Sequence, residues 1–414
     1  MRPHSTTHPE RPYQPASTTT TLSVRRALSR TSNNSAPGPD GISYRLLKIL
    51  QDTDLGRAVI NDIAFNVDHL SPNPPPWEGL KMVMIQKPNK DHTTIKGWRP
   101  IVLSNTSSKL GEKCFANRLQ SAHQGFHHLQ YGSRQNRSAT AAMVITAIQI
   151  QRELKGGSRV SLLSKDVVSA FNHLRHAPLL ERIQAFSPEN LEFCRQFLSP
   201  RFFQIYWDGL HRGNACMNEG TPQRSPLSPV LWLLFLARTL QRADTAIKDI
   251  RLTPTRKSQR LLAPNIRAPP PIQVDLFSYA DDVNPVVTTR WTSGKDHARV
   301  CAEVDTRLEE AAQADNLSWD PQKDSCITFG EGSLQSTSTL GITINSRLSF
   351  QDHVNTRTAK AERILRVMKR LGNSNGGLSP SAMRSLYTGM VRPIFTWGAE
   401  VWLHNPLTSA PSRD

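Results

Sequence analysis

Cysteine is scarce in this chain, with five residues in 414 that lie far apart in the sequence. None forms a Cys-x-x-Cys pair, which argues against a disulfide framework or a zinc knuckle and predicts reduced thiols in an intracellular protein. Long apolar runs are absent as well. No stretch reaches the roughly 20 uncharged residues of a transmembrane helix, and the N-terminus lacks the apolar core of a secretory signal. We therefore expect a soluble chain without a membrane partner.

Acidic side chains are in deficit, with 34 Asp and Glu against 51 Lys and Arg. The formal net charge is +17 and the sequence pI is about 10.0. This excess predicts a polyanionic partner, with nucleic acid as the first candidate, and the alternative is a generally basic, solvated surface. The length allows roughly two to four domains or lobes.

The pattern of turns and apolar residues divides the chain. Residues 1–35 are rich in Ser, Thr, Asn and Arg and poor in large apolar side chains, so we expect a disordered basic leader. Further along, "LKMVMIQ" predicts a strand, "SRVSLLSKD" a strand ending near Asp166, and "SPLSPVLWLLFLARTLQRADTA" a mostly buried helix. The stretch 251–271 has five prolines, five basic residues and no acid, which predicts a loop.

Two adjacent carboxylates, Asp281 and Asp282, lie between the β-rich segments "IQVDLFSYA" and "VNPVVTT". Almost no linker joins the segments, so the pair is expected at the tip of a β-hairpin, although Pro285 predicts that the second strand is an edge strand or carries a bulge. Mg²⁺ would relieve the repulsion between the two charges. Asp166 is the natural third ligand if the strands are neighbours in a sheet. Taken singly, each acid also fits a solvated turn.

The C-terminal third contains the helical pattern "SFQDHVNTRTAKAERILRVMKRLG", with Ser349 and Asp352 as a predicted capping box and Gly372 as the predicted C-cap. Cations recur at every third residue, a spacing that drifts slowly around a helix and predicts a basic stripe; the alternative is a solvated face of a packing helix. The basic stripe comprises Arg357, Lys360, Arg363, Arg366 and Lys369, and the predicted apolar side comprises Val354, Ala361, Ile364, Leu365, Met368 and Leu371.

Three segments in order, "KDVVSAFNHL", "GTPQRSPLSPVLWLLF" and "FSYADDV", resemble the palm motifs of reverse transcriptases, most closely those of non-LTR (LINE-like) retrotransposons. Upstream, "APGPDGISYRLLK", "IQKPNKDHTTIKGWRPIVLSNTSSKLGEKCFANRL" and "QYGSRQNRSATAAM" resemble the leading and finger segments of that family. Downstream, "NLSWDPQKDSCITF", "TLGITINSRLSF" and "LYTGMVRPIFTWGAEVW" resemble its later palm motifs and the segment after its thumb. The resemblance covers residues 36 to 402.

The resemblance implies an α+β right-hand polymerase fold with an antiparallel palm sheet packed on helices. The implied divisions are an N-terminal extension and fingers at 36–160, a palm at 161–345, a thumb and following segment at 346–403, and a tail at 404–414. The implied activity is extension of a DNA primer 3′-hydroxyl with dNTPs on an RNA template, by a mechanism that uses two Mg²⁺ ions. Nuclear residence is implied too, and the oligomeric state is left open.

The resemblance also implies roles at the chemical centre. Asp166 and Asp281 match the metal ligands, with assistance from the Val167 carbonyl, and Asp282 matches their less critical neighbour. Lys323 matches the palm lysine that protonates pyrophosphate.

Other matched positions face the nucleotide and the template. Phe171 matches the bulky side chain that leaves no room for a 2′-hydroxyl, and Gln223 matches the residue that faces the incoming nucleotide. Lys87 and Arg99 match finger positions that face the triphosphate. The positions matched to the template–primer duplex are Gly132, Arg134 and the five cations of the basic stripe.

Three positions depart from the family pattern. Arg224 stands where Gly is usual, Ser133 replaces a Phe, and Lys165 puts a charge directly before Asp166, where an apolar residue is usual. No endonuclease, zinc knuckle or ribonuclease H segment is recognisable, so we expect a fragment of a longer element. The main alternative is a catalytically decayed relic that binds nucleic acid. An intron-encoded maturase is disfavoured by the closing "GAEVW" segment.

Overall fold

The computed structural model describes residues 21–68, 80–88, 90–121, 125–252, 271–330, 334–372 and 376–403. The chain divides into two compact units, one formed by residues 1–125 and 174–234 and the other by residues 126–173 and 235–414. Most of the predicted loop at 251–271, the predicted tail at 404–414 and the first part of the predicted leader lie outside the described residues.

Helices and short strands alternate within both units. The helices are α1 (Thr21–Ser29), α2 (Tyr44–Leu50), α3 (Asp54–Asp68), α4 (Thr106–Ser121), α5 (Ala139–Lys155), α6 (His176–Phe186), α7 (Leu191–Phe197), α8 (Ser228–Ile247), α9 (Gly294–Ala314), α10 (Gln351–Leu371), α11 (Pro380–Leu386), α12 (Arg392–Phe395) and α13 (Ala399–Trp402). The strands are β1 (Leu80–Gln86), β2 (Trp98–Leu103), β3 (Arg159–Asp166), β4 (Arg201–Trp207), β5 (Leu210–Met217), β6 (Ile272–Tyr279), β7 (Asp282–Thr289), β8 (Ser325–Thr328), β9 (Ser336–Thr339) and β10 (Ile342–Asn345). Among these described elements, no helix is both long enough and apolar enough to cross a membrane.

The first unit contains a four-stranded sheet in the order β2-β1-β4-β5. β1 pairs antiparallel with β2 and parallel with β4, and β4 forms an antiparallel hairpin with β5. The predicted strand "LKMVMIQ" is β1, and the predicted helix at 225–246 is α8, which is buried along most of its length as expected.

Helix α1 corrects the prediction of a disordered leader over 1–35 for its described part, since residues 21–29 form a packed helix. Val24, Ala27 and Leu28 fall at helical spacing and are at most 1% exposed. They pack in one apolar cluster with residues of α2, α3 and α4, including Leu47 and Ile60. Three apolar side chains on one face are enough to dock a nine-residue helix, even though the composition of the whole segment is polar.

The second unit is built on an antiparallel sheet in the order β6-β7-β3-β8. Its core includes Val160 and Leu162 of β3, Val286 of β7 and Met143 and Ile150 of α5. β3, which ends at Asp166, and β7, which begins at Asp282, are neighbours in this sheet, so the condition for Asp166 as a third ligand is met. β9 and β10 form a separate two-stranded hairpin.

Pro285 does not place β7 at an edge, so the expectation of an edge strand or a bulge is wrong. β7 lies between β6 and β3, and its register with β6 runs without a shift through the Leu276–Pro285 pair. On the other side, paired residues are found at Lys165–Val283 and Leu162–Val286 but not between them. Proline has no amide hydrogen to donate. The central strand β7 accommodates Pro285 because its pairing with β3 is interrupted at this position.

Helix α10 differs from its sequence prediction at the start. Its N-cap is Phe350, without a side-chain cap, so the predicted capping box is wrong, whereas Gly372 is the C-cap as expected. Ala361 and Met368 are buried, but Leu365 and Leu371 are more than 40% exposed and do not belong to the buried face. The buried face packs against α11, the following π-helical turn and α12.

The burial of α1 generates a prediction about stability. Leu28→Ala is expected to lower the free energy of unfolding by about 2–5 kcal/mol, because it leaves a cavity in a packed cluster. Leu22→Ala is the matched control, since Leu22 belongs to the same helix but is 56% exposed. Urea denaturation of both variants measures the difference, and equal stabilities would contradict the docking of α1.

Candidate active site

The β6–β7 hairpin presents two adjacent carboxylates at its tip. Tyr279 pairs with Asp282, so Ala280 and Asp281 form the two-residue turn. Ala280 has a φ of +55°, the left-handed conformation that such tight hairpin turns require. On the other side of β7, Asp166 at the end of β3 pairs directly with Asp282. The register of three strands therefore brings the three acids to one end of the sheet.

The three carboxylates lie close enough to share a cation. One oxygen each of Asp166, Asp281 and Asp282 lies within 4.8 Å of the others. Burial raises the pKa of Asp281, and the charge of Asp166 adds to this effect. Burial, followed by the charges of Asp281 and Asp166, raises the pKa of Asp282 to about 7. Three clustered oxygen ligands that repel one another fit a hard divalent cation such as Mg²⁺.

Lys323 reaches the same cluster from a neighbouring turn. Its Nζ donates a hydrogen bond to Oδ2 of Asp166, and this bond, outweighing partial burial, raises the pKa of Lys323. The turn is anchored by the Asp320 amide, which donates to the Asp166 carbonyl oxygen (2.8 Å), and by the Lys323 amide, which donates to the Asp320 carbonyl oxygen (3.0 Å). Asp320 was not identified from the sequence, although an Asp before Pro321 is a recognisable turn signal.

The backbone of Gly132 packs directly against the hairpin turn. The Tyr131 amide donates to the Ser278 carbonyl oxygen (2.8 Å), which fixes this segment alongside β6. A Cβ atom added at Gly132 would lie 2.2 Å from the Ala280 nitrogen, so no other residue fits without moving the turn that carries Asp281.

Three other residues with predicted roles lie in the second unit. Val167 is 2% exposed, and its amide donates to the Asp281 carbonyl oxygen (3.3 Å). Phe171 is half-buried in the turn that follows β3. The guanidinium of Arg134 stacks 4.8 Å from the Phe126 ring centroid and donates to the His127 carbonyl oxygen (3.4 Å). Arg134 is thus engaged with its own unit.

The first unit brings together three of the predicted substrate-binding residues. The Lys87 amide donates to the Gly97 carbonyl oxygen (2.8 Å), which extends the β1–β2 ladder and puts Lys87 on the same face as the exposed Arg99. The carbonyl oxygen of Gln223 accepts from the Val102 amide on β2 (3.3 Å). All three therefore lie along or beside the β1–β2 ribbon, which forms one side of the four-stranded sheet.

Arg224 follows Gln223 in a backbone conformation that favours glycine. Its φ is +81° and its side chain is exposed. The next residue, Ser225, is buried and donates a hydrogen bond to Glu112, which is 0% exposed. The positive φ of Arg224 therefore lies directly before a buried, hydrogen-bonded residue of the same loop.

Lys165 is only 8% exposed, yet its charge is compensated. Its Nζ lies 2.6 Å from Oδ1 of Asp305 on α9 and 2.6 Å from Oδ2 of Asp324. Burial lowers the pKa of Lys165, but the two ionic hydrogen bonds outweigh burial, and the net shift is upward. The sequence marked Lys165 as unusual without revealing its partners, because both acids are more than 130 residues away.

The basic stripe on α10 is exposed at four of its five positions. Lys360, Arg363, Arg366 and Lys369 face solvent. Arg357 is half-buried instead: its guanidinium donates to the Gly341 carbonyl oxygen (2.6 Å) and lies 5.8 Å from the Trp397 ring centroid. Arg357 therefore stabilises the packing of α10.

Comparison with known proteins defines the class of protein to which this site belongs. Residues 85–344 match the family model for reverse transcriptase (RNA-dependent DNA polymerase). The match covers more than half of the chain, so the chain belongs to the reverse transcriptase family, and the predicted α+β right-hand polymerase fold is confirmed with it.

Two relatives from Drosophila melanogaster match most of the chain. The probable RNA-directed DNA polymerase from transposon BS is 25% identical over 89% of this chain and 40% of its own length. The RNA-directed DNA polymerase from mobile element jockey is 24% identical over 95% of this chain and 43% of its own length. The chain thus spans less than half the length of these relatives, which are mobile-element polymerases, as the resemblance to non-LTR retrotransposons predicts.

The strained conformation of Arg224 generates a second prediction. Arg224→Gly is expected to raise the free energy of unfolding by about 0.5–1 kcal/mol, because relief of a left-handed backbone outweighs the entropy cost of glycine. Arg224→Ala is the control, since it removes the charge but keeps the Cβ atom that causes the strain. Denaturant titration distinguishes them; a gain for Arg224→Ala as large as for Arg224→Gly would attribute the effect to charge.

Proposed function

We propose that this chain is the polymerase domain of a non-LTR retrotransposon and extends a DNA primer on an RNA template with dNTPs. The observation that carries the proposal is the cluster of Asp166, Asp281 and Asp282 on adjacent strand ends, with the ammonium of Lys323 beside it. A carboxylate cluster of this kind with a cationic proton donor suits phosphoryl transfer, in which charge builds up on the attacking and leaving oxygens.

Each residue of the cluster has a distinct proposed task. Asp166 and Asp281 hold the metal ions, with the Val167 carbonyl as an additional ligand and Asp282 as a neighbour that adds negative potential. Two bound Mg²⁺ ions would supply charge stabilisation for the attacking 3′-oxygen and the departing pyrophosphate. Lys323 holds a proton at Nζ that it donates to the pyrophosphate as the bond to the α-phosphate breaks.

Four residues have proposed contacts with the incoming nucleotide. Phe171, in the turn after β3, closes against the sugar 2′ position and excludes a hydroxyl group. Lys87 and Arg99, on one face of the β1–β2 ribbon, bind the triphosphate through charge-assisted hydrogen bonds. Gln223, tied by its carbonyl oxygen to β2, faces the incoming nucleotide.

The proposed contacts with the template–primer duplex go to its phosphate backbone. The exposed cations of the basic stripe suit phosphate contacts that carry no sequence information, and the net charge of +17 supports a polyanionic partner. Gly132 and Arg134 line the approach of the template strand. We further propose that the protein works in the nucleus, where a chromosomal primer is available.

The first test is primer extension. The purified chain, supplied with an annealed DNA primer on an RNA template, dNTPs and Mg²⁺, is expected to extend the primer, and Asp281→Asn is expected to lower the rate by at least about 10³-fold because a ligand charge is lost. Asp249→Asn is the matched control, since Asp249 is an exposed acid of the same unit outside the cluster. Extension that survives Asp281→Asn would contradict the assigned chemistry.

Arg224→Gly separates an intact enzyme from a decayed one in the same assay. Extension by the parent chain means a working polymerase that tolerates Arg224. Extension by Arg224→Gly alone means that the arginine blocks an otherwise intact site. If neither the parent chain nor Arg224→Gly extends the primer while both still bind the template–primer duplex, the result favours the relic.

A second test concerns the basic stripe. Arg363→Gln is expected to make the slope of log binding affinity against log salt less negative by about one, because one phosphate contact is lost. Lys295→Gln removes the same charge from an exposed position on α9 and is expected to leave the slope unchanged. Fluorescence anisotropy with a labelled RNA–DNA hybrid at several salt concentrations measures both. Equal slopes for the two variants would place the duplex away from α10.

A further inference from the structure

The end of β3 and the segment before β8 form two consecutive ion pairs of opposite polarity. β3 and β8 pair antiparallel, and the last paired residues are Ser164 and Ser325. Continuing this register by two residues puts Lys165 opposite Asp324 and Asp166 opposite Lys323. Both pairs are ion pairs, Lys165 with Asp324 at 2.6 Å and Lys323 with Asp166.

The two pairs lie on opposite faces of the sheet. Successive residues of a strand point to opposite sides, so Asp166 and Lys323 face the carboxylate cluster whereas Lys165 and Asp324 face the other way. On that other side α9 packs on β3 and contributes Asp305, the second partner of Lys165. One pair is therefore at the candidate active site and the other is under a helix.

The two pairs differ in exposure. The side chain of Lys323 is 59% exposed, while that of Lys165 is 8% exposed. An exposed lysine has many rotamers and is held weakly by a single surface ion pair. A buried cation with two acids at hydrogen-bond distance is held far more firmly, because the loss of either acid would leave its charge poorly compensated.

We propose that Lys165 and Asp324 are positioning residues that hold Lys323 against Asp166. Asp324 is covalently adjacent to Lys323, so its bond to Lys165 fixes the backbone from which the Lys323 side chain extends. On the other side, the Asp320 turn fixes the preceding residues. The proposal rests on the proposed function of Lys323 as proton donor. It assigns a role to Lys165, the unusual charge directly before Asp166.

Two single variants separate positioning from stability. Asp324→Asn and Asp305→Asn each remove one of the two acids that compensate Lys165, so a purely structural role predicts similar effects for both. Only Asp324 is bonded to Lys323 through the backbone. We expect Asp324→Asn to lower kcat of primer extension about tenfold, a part of the 10²–10⁴-fold contribution of a positioned proton donor, with KM for dNTP unchanged.

The controls run in the same assay. Asp305→Asn is expected to retain kcat within about twofold, and Asp324→Glu is expected to restore most of the loss because it keeps a carboxylate that can reach Lys165. Equal kcat values for Asp324→Asn and Asp305→Asn, or no rescue by Asp324→Glu, would overturn the proposal. Lys165→Met is the second variant should Asp324→Asn fail to fold, and it is expected to lower kcat to the same extent.

A second measurement does not depend on polymerase activity. An amine-reactive ester acylates lysines that are not held in ion pairs, and mass spectrometry reports the rate at each site, with the exposed Lys295 as internal reference. Lys323 is expected to react several-fold faster in Asp324→Asn than in the parent or in Asp305→Asn. Unchanged Lys323 reactivity in Asp324→Asn would refute the positioning role even in a chain that extends no primer, whereas a chain that shows the reactivity change but no extension contradicts only the proposed function.

Discussion

The register of the sheet in the second unit holds Asp166, Asp281 and Asp282 together against their mutual repulsion, and the candidate site depends on it. Carboxylates that approach within 4.8 Å in a half-buried position are unfavourable without a cation, as the raised pKa values of Asp281 and Asp282 indicate. They stay together because of the sheet register: β7 pairs with β6 on one side and with β3 on the other, which puts Asp166 and Asp282 at strand ends and Asp281 in the turn between β6 and β7. The free energy that holds the cluster is therefore distributed over the whole sheet and its core.

Strand β3 also contains a buried positive charge, that of Lys165, which acidic side chains compensate. Lys165 precedes Asp166, so the alternation of a strand sends its charge into the layer between the sheet and α9, where a lone cation would cost several kcal/mol. Asp305 and Asp324 compensate it from two different elements. Their position also connects the buried charges under α9 to the turn that carries Lys323, so that one face of β3 carries the compensated charge and the other carries the candidate site.

Much of this arrangement could be predicted from the sequence because it is local. The hairpin tip at Asp281, the strand end at Asp166 and the strand β1 follow from short-range patterns, and the reverse transcriptase family follows from ordered motifs. The errors arise where tertiary contacts override composition. Helix α1 is polar overall but has three apolar residues on one face, and Pro285 lies in a central strand because a gap in one ladder is enough. The partners of Lys165 are distant in sequence, so no local pattern reveals them.

The three departures from the family pattern, Ser133, Lys165 and Arg224, differ in the free energy that each costs the fold. Ser133, with a φ of +51° and an exposed side chain, and Arg224, with a φ of +81°, place strain in loops where each costs on the order of 1–2 kcal/mol, and neither disturbs a buried group. Lys165 is the costliest of the three, since it is a buried charge beside the carboxylate cluster, yet two acids compensate its charge. Because Asp305 and Asp324 compensate its charge, Lys165 does not leave an unpaired cation next to Asp166.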